Sequence, residues 1–272
     1  MGRGAWSWTV PDGLWEIAKP LLTPSKVRPQ GGGTQDTPDE TLFAANIYVL
    51  VSGCSWRALP PCFGMSKSTA HRRFLIWSRA GVWGRLHEAV LHQLDDACLI
   101  DVTRVVLGTA HVRAKEGGEH TGPSPEDRGK PGSKMDILSD ANGLPLLVGV
   151  SAGNTHNSEG LKPMVEGHQT RHDPDRGRYF KPQRLHADEA CDCTDLRKWL
   201  RGRRIGVRIA RKGIESSERL GRRRWVIERT MSWLSGYRRL SPHYERDPRN
   251  YPAFLGLTTA LSCYTRLLRL TA

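Results

Sequence analysis

KMDILSDANGLPLLVGVSAG, Lys134 to Gly153, reads as two strands joined by a tight turn. Asn142–Gly143 is the hairpin signal, because the favoured two-residue turn needs left-handed backbone that Asn and Gly tolerate. Upstream, CLIDVTRVVLG (98–108) is rich in β-branched residues and predicts a buried strand. Downstream, NSEGLKPMVEGH (157–168) predicts a short helix, QRLHADE (183–189) a strand, CTDLRKWLRGR (193–203) a helix and IGVRIAR (205–211) a strand. A long helix over RRRWVIERTMSWLSGYRRL (222–240) follows.

The resulting order, β-β-β-α-β-α-β-α, is a three-strand meander followed by parallel strands, a mixed sheet flanked by helices. It is the order of the ribonuclease H-like fold. The first 95 residues read differently, as an all-α unit. DGLWEIAKPLL (12–22) predicts a short amphipathic helix capped by Asp12. A second helix is expected after Thr37, with Pro38 at its first position and Glu40 at its third, ending at Gly53. A third begins at the Ser66 cap, buries Ala70, Phe74 and Trp77, and stops at Gly81; a fourth spans 82–95. Two domains are expected: residues 1–95, helical and resembling a helix-turn-helix, and 96–272, the α/β unit with basic C-terminal helices. The third helix offers Lys67, Thr69, Arg72 and Arg73 to a DNA groove; the bland alternative is a solvated basic face.

The charge supports a polyanionic partner. The net charge is +13, yet residues 197–272 carry 19 Lys and Arg against 5 Asp and Glu, while residues 1–196 are close to neutral. A basic block interleaved with Trp, Tyr and Leu favours nucleic acid over a membrane surface. No run of 18 apolar residues predicts a membrane span, and the N-terminus lacks the apolar stretch of a signal peptide. Six cysteines without a regular framework are expected as reduced thiols of a cytoplasmic protein.

Three acids stand out. Asp101 interrupts the apolar run of the first predicted strand, where an unpartnered acid is costly. Asp188 closes the fourth strand, where open sheets place ligands. Glu228 is the one acid among six arginines in 222–240; it falls about 200° from Val226 around the helix, away from the apolar stripe of Val226, Trp233, Tyr237 and Leu240. Arg224, Arg229, Arg238 and Arg239 of this segment are candidate phosphate contacts. In a ribonuclease H-like order the three carboxylates would meet at one edge. Two of them about 5 Å apart repel by roughly 3 kcal/mol at an effective dielectric of 20, a cost that two Mg²⁺ or Mn²⁺ ions would remove while serving phosphodiester chemistry. The structural alternatives are a partnered strand acid at Asp101 and a helix cap at Asp188. His186, Cys191 and Cys193 match no standard zinc spacing. Neither a P-loop nor a G-x-S-x-G motif is present.

The segments SGCSWRALPPCFGMSKSTAHRRFLIWSRAGVWGRL, TGPSPEDRGKPGSK, SAGNTHNS, HADEACD and RRRWVIERTMSWLSGYRRL together resemble the DDE transposases of small bacterial insertion sequences, over about residues 14–268. The resemblance implies a triad of Asp101, Asp188 and Glu228 holding two Mg²⁺ or Mn²⁺ ions. It also implies a helix-turn-helix that recognises terminal inverted repeats, and a homo-oligomer that cuts and joins double-stranded DNA ends to a target in the bacterial nucleoid. Departures from the family pattern are Val102–Thr103 after the first acid, Ala190–Cys191 before Asp192, and Gly221 and Ser235 flanking Glu228 where Tyr and Lys are common; Arg224 is retained. A transposase-derived DNA-binding regulator and a ribonuclease H-like nuclease are the alternatives.

Overall fold

The computed structural model of the chain describes residues 5–23, 37–170, 182–211 and 217–271, with the side chains of 169–170 and 217–224 outside that description. The hairpin forms where the sequence places it. β3 (Pro131–Ser139) and β4 (Pro145–Ala152) pair antiparallel around a turn in which Gly143 takes φ +86°. Asp140 fastens that turn. Its buried carboxylate accepts N–H bonds from Asn142 (2.8 Å), Leu144 (2.7 Å) and Asp101 (3.0 Å).

Burial lifts the Asp140 pKa to about 6, against the opposing pull of those backbone donors. Between pH about 4 and 6 the folded chain therefore keeps a proton that the unfolded chain has released, so this group's contribution to stability falls as pH rises through that window. Asp140→Asn removes the titration. The difference in unfolding free energy between variant and parent should shift in the variant's favour by on the order of 2–3 kcal/mol from pH 4 to pH 7. Urea titrations at several pH values check this; a pH-independent difference would contradict it.

β1 (Val105–Arg113) lies antiparallel to β3, with Val106 opposite Ser139 and Gly108 opposite Ile137. On its other side β1 runs parallel to β5 (Arg184–Ala187), which runs parallel to β6 (Gly206–Ile209). The long path is thus β4-β3-β1-β5-β6, and the two-residue β2 (Gly122–Pro123) pairs with the start of β3. A meander whose first strand leads into parallel strands is the ribonuclease H-like arrangement, as the element order predicts. The first strand starts later than expected. Thr103 N–H donates to Asp101 Oδ1 at 2.9 Å, a local turn that takes Asp101 out of the sheet.

Helices cover both faces. α5 (Asn157–Thr170) packs against one face through Met164, which approaches Gly149, and α7 (Ser217–Ser235) packs against the other. α6 (Thr194–Gly202) links β5 to β6. The N-terminal helices are α1 (Leu14–Ala18), α2 (Asp39–Ser52), α3 (Lys67–Arg79) and α4 (Val82–Asp96). Ser66 caps α3 as expected, accepting the Thr69 N–H, and Ala70, Phe74 and Trp77 are buried. Asp12 does not cap α1; Gly13 holds that position, and Pro38 precedes α2 rather than opening it.

The last helix departs furthest from expectation. α8 (Asn250–Thr271) is not a basic surface helix: Tyr251, Phe254, Leu257, Leu261 and Tyr264 are among its buried residues. It runs between the sheet and the N-terminal helices. Phe254 stacks on Phe74 of α3 at 4.3 Å, and His87 of α4 hydrogen-bonds the Pro145 carbonyl of β4 at 2.9 Å. One hydrophobic cluster therefore spans the helical region and the sheet.

Candidate functional site

Asp101 lies four residues before β1, beside the β3–β4 turn. Its carbonyl accepts the Ala141 N–H at 2.9 Å, its own N–H bonds Asp140, and its Oδ1 is held by Thr103. Asp188 sits elsewhere. It follows β5, and its Oδ1 caps a short 3-10 turn through the Glu189 N–H at 2.7 Å. The β1–β5 register aligns Val105 with Leu185 and Val106 with His186. Two residues further on, Asp188 comes level with Gly108. At roughly 3.3 Å per strand residue, Gly108 to Val105 already spans about 10 Å, and Asp101 lies beyond that, toward the opposite end. The predicted Asp101–Asp188 encounter does not occur, because Asp101 makes the turn that precedes the strand instead of entering it.

Glu228 lies on the stretch of α7 that packs over Gly108. Ile227 and Met231 of α7 sit directly over Gly108, where an added β-carbon would stand 2.6 Å from Ile227 Cγ1 and 2.5 Å from Met231 Cε. Val226 and Thr230 turn toward the β3–β4 hairpin, and Thr230 Oγ1 donates to the Gly143 carbonyl at 2.7 Å. One residue past Ile227, Glu228 is rotated about 100° the other way, which leaves it exposed on the β5 side of the helix. In-register residues of parallel strands share a face, so Asp188 and Glu228 flank Gly108 from β5 and from α7.

This middle position was missed at the sequence level, although a signal existed. Gly108 is an isolated glycine inside a strand run, a mark of close approach by another element. Among the described residues, no three His, Cys, Asp or Glu side chains form a set that could hold a metal ion. The two-ion carboxylate cluster therefore does not fit the residues present. Zinc has no support either: Cys191 is buried, and burial, with Asp188 nearby, lifts its thiol to about 11, far from a ready thiolate. The six cysteines are free, as expected.

The basic residues divide. Lys67, Thr69 and Arg72 are exposed on α3, Thr69 and Arg72 about 60° apart around its axis and Lys67 at its first residue, and Arg238 is exposed after α7. Arg73 is not available to a groove: it pairs with Asp39 of α2 at 3.2 Å and lies over Trp77. Arg229 stacks between Trp225 and Trp233 and donates to the Asn142 carbonyl at 2.7 Å; burial, then Arg266, lowers its pKa. Arg239 is buried, donates to Glu245 and to the Cys54 carbonyl at 3.1 Å, and so serves the core rather than DNA. The Arg224 side chain lies outside the described residues. A helix continued through Leu240 would put Arg239 on the same face as Glu228, but α7 ends at Ser235 and the chain turns before Arg239.

Strand order and the placement of α7 define a ribonuclease H-like protein. The family model "Transposase DDE domain" matches residues 92–263, and "Putative transposase of IS4/5 family" matches residues 10–87. The chain belongs to the DDE transposases of the IS4/IS5 family, phosphoryl-transfer enzymes of insertion sequences. It is 38% identical over 157 residues to "Putative transposase for insertion sequence element IS402" of Burkholderia cepacia, covering 56% of this chain and 72% of the relative. It is 35% identical over 118 residues to "Insertion element IS402 uncharacterized 16.2 kDa protein" of the same organism, covering 43% of this chain and 80% of the relative. The catalytic domain of Mos1 mariner transposase matches 68% of this chain and 91% of its own, at 12% identity and a TM-score of 0.30; the fold assignment rests on strand order and register instead. Among the described residues, no helix is long and apolar enough to cross a membrane.

Proposed function

We propose that this chain binds the terminal inverted repeats of an insertion sequence as double-stranded DNA, with α3 in the major groove and a homo-oligomer assembled on the ends. The observation that carries this reading is the exposed face of α3. Thr69 and Arg72 project about 60° apart around the helix, opposite the buried Phe74 and Trp77 that anchor it from behind, and Lys67 is exposed at its first residue. A helix fixed on its apolar side and basic on its free side suits groove binding. The side of the molecule where the end of β5 and α7 carry Asp188 and Glu228 is where the DNA backbone would pass. Two-ion cleavage and strand transfer, the activity expected from the sequence, needs a further carboxylate that Asp101 does not supply. The geometry thus favours DNA-end binding over strand joining.

The test compares affinities for DNA from the ends of the element and for random duplex over a salt series. Arg72→Ala is expected to lower the ratio of the two affinities by roughly 10- to 100-fold, the worth of one base-edge contact. Arg238→Ala should weaken both alike and reduce the log–log salt slope by about 0.9. An unchanged ratio in Arg72→Ala would show that α3 only packs.

A further inference from the structure

We infer that Gly108 occupies the place of an absent carboxylate ligand, and that this chain binds DNA ends without holding the divalent ions needed to cut them. The inference rests on the DNA-binding reading above and adds to it. Three observations meet at one point. The β1–β5 register carries Gly108 level with Asp188. The face of Gly108 that lacks a side chain points at Ile227 and Met231, one residue before and three residues after Glu228 in α7. Asp101, the nearest acid upstream in β1's lead-in, is committed to its turn by Thr103 and Asp140.

A side chain at position 108 would thus project between the two acids. A carboxylate there would complete a three-carboxylate set drawn from β1, the end of β5 and α7. Glycine leaves the two acids with no bridging group between them, and paired divalent ions need such a group to sit about 3.5–4 Å apart. Mg²⁺ in particular demands near-ideal octahedral oxygen geometry and gives up its waters reluctantly.

The packing is built around the gap. Ile227 is β-branched and stiff, and it fills the space a β-carbon would take. α7 is therefore seated closer to β1 than any side chain at 108 would allow. The chain is not merely short of one ligand; the helix bearing Glu228 has settled into the vacancy.

The experiment uses the full chain and three variants: Gly108→Asp, Gly108→Asp/Ile227→Ala, which makes room for the new side chain, and Glu228→Gln. Mn²⁺ binding is read by calorimetry and by the Mn²⁺-induced shift in melting temperature. DNA binding in EDTA and Mn²⁺-dependent nicking are read on a supercoiled plasmid carrying the DNA that flanks the chain's gene. The parent is expected to bind the plasmid, to show no saturable Mn²⁺ binding below millimolar concentration, and to nick no faster than Glu228→Gln. Gly108→Asp/Ile227→Ala should bind Mn²⁺ at least 10-fold more tightly than the parent. Two Mn²⁺ ions bound per parent chain, or parent nicking that Glu228→Gln abolishes, would overturn the inference. So would a folded double variant with no gain in Mn²⁺ affinity. If neither Asp variant folds, the parent's Mn²⁺ stoichiometry decides alone. Failure of the parent to bind the plasmid in EDTA would instead sink the DNA-binding reading, and the Mn²⁺ measurements would still judge Gly108.

Discussion

Glu245→Ala is expected to cost about 3–5 kcal/mol of folding stability, the penalty for leaving one member of a buried ion pair without its partner. Arg239 and Glu245 are each 9% exposed at the side chain. The guanidinium donates from Nε to Glu245 Oε1 at 3.0 Å, donates from Nη2 to the same oxygen, and reaches the Cys54 carbonyl with Nη1. Phe254 lies 5.4 Å from its centre. Water cannot replace the lost carboxylate in that setting without opening the contact between the chain after α2 and the chain after α7. A domain of this kind holds roughly 5–15 kcal/mol in total, so the loss is a large share of the whole.

The pair also separates two roles for Arg239. If it contacted phosphates, Arg239→Ala would leave stability nearly unchanged and flatten the salt dependence of DNA binding by about 0.9 in log–log slope. The geometry predicts the reverse: strong destabilisation, and an unchanged slope for the protein that remains folded. Arg239→Met/Glu245→Leu should recover most of the lost stability, because apolar residues of similar volume need no charge compensation. Urea unfolding of the two single variants and the double variant measures this. A double variant no better than either single would contradict it.

Phe254→Ala is expected to cost about 3–5 kcal/mol as well, through the cavity it leaves, with up to about 1.5 kcal/mol more from lost aromatic stacking. Phe254 is fully buried on α8 and packs on the N-terminal helical region, against Phe74 of α3 at 4.3 Å and Trp56 at 6.2 Å between ring centres, with Arg239 of the C-terminal region over its ring. Since α8 joins the N-terminal helices to the sheet, the helical region and the sheet should lose stability together. One calorimetric transition, lowered by roughly 10 °C, is the expected result. Two transitions, with only the lower one moved, would show that the helices fold as an independent unit. Arg239 lies against the same ring, so the costs of Glu245→Ala and Phe254→Ala should not add.

The candidate site was legible in part. Asp188 and Glu228 carried local signals: an acid closing a strand, and a lone acid opposite the apolar stripe of a helix. Asp101 misled because its flanking residues are sheet formers, while its carboxylate makes a turn that composition does not reveal. Arg73, Arg229 and Arg239 misled for a related reason. A basic residue on an amphipathic segment looks solvent-facing until the partner that buries it is known, and those partners, Asp39, Asn142 and the Cys54 carbonyl, come from other parts of the chain.

The sequence by itself determined the element order, the β3–β4 hairpin, the Ser66 cap and the basic bias of the C-terminal region, because each depends on periodicity, turn chemistry or charge within a short window. Only the tertiary structure decided which residue of β1 stands beside Asp188. Strand register is a property of two chains of hydrogen bonds aligned across the sheet, and a shift of a few residues leaves the local pattern almost unchanged. That alignment puts Gly108 between Asp188 and Glu228 and sends Asp101 toward the other end of the strand.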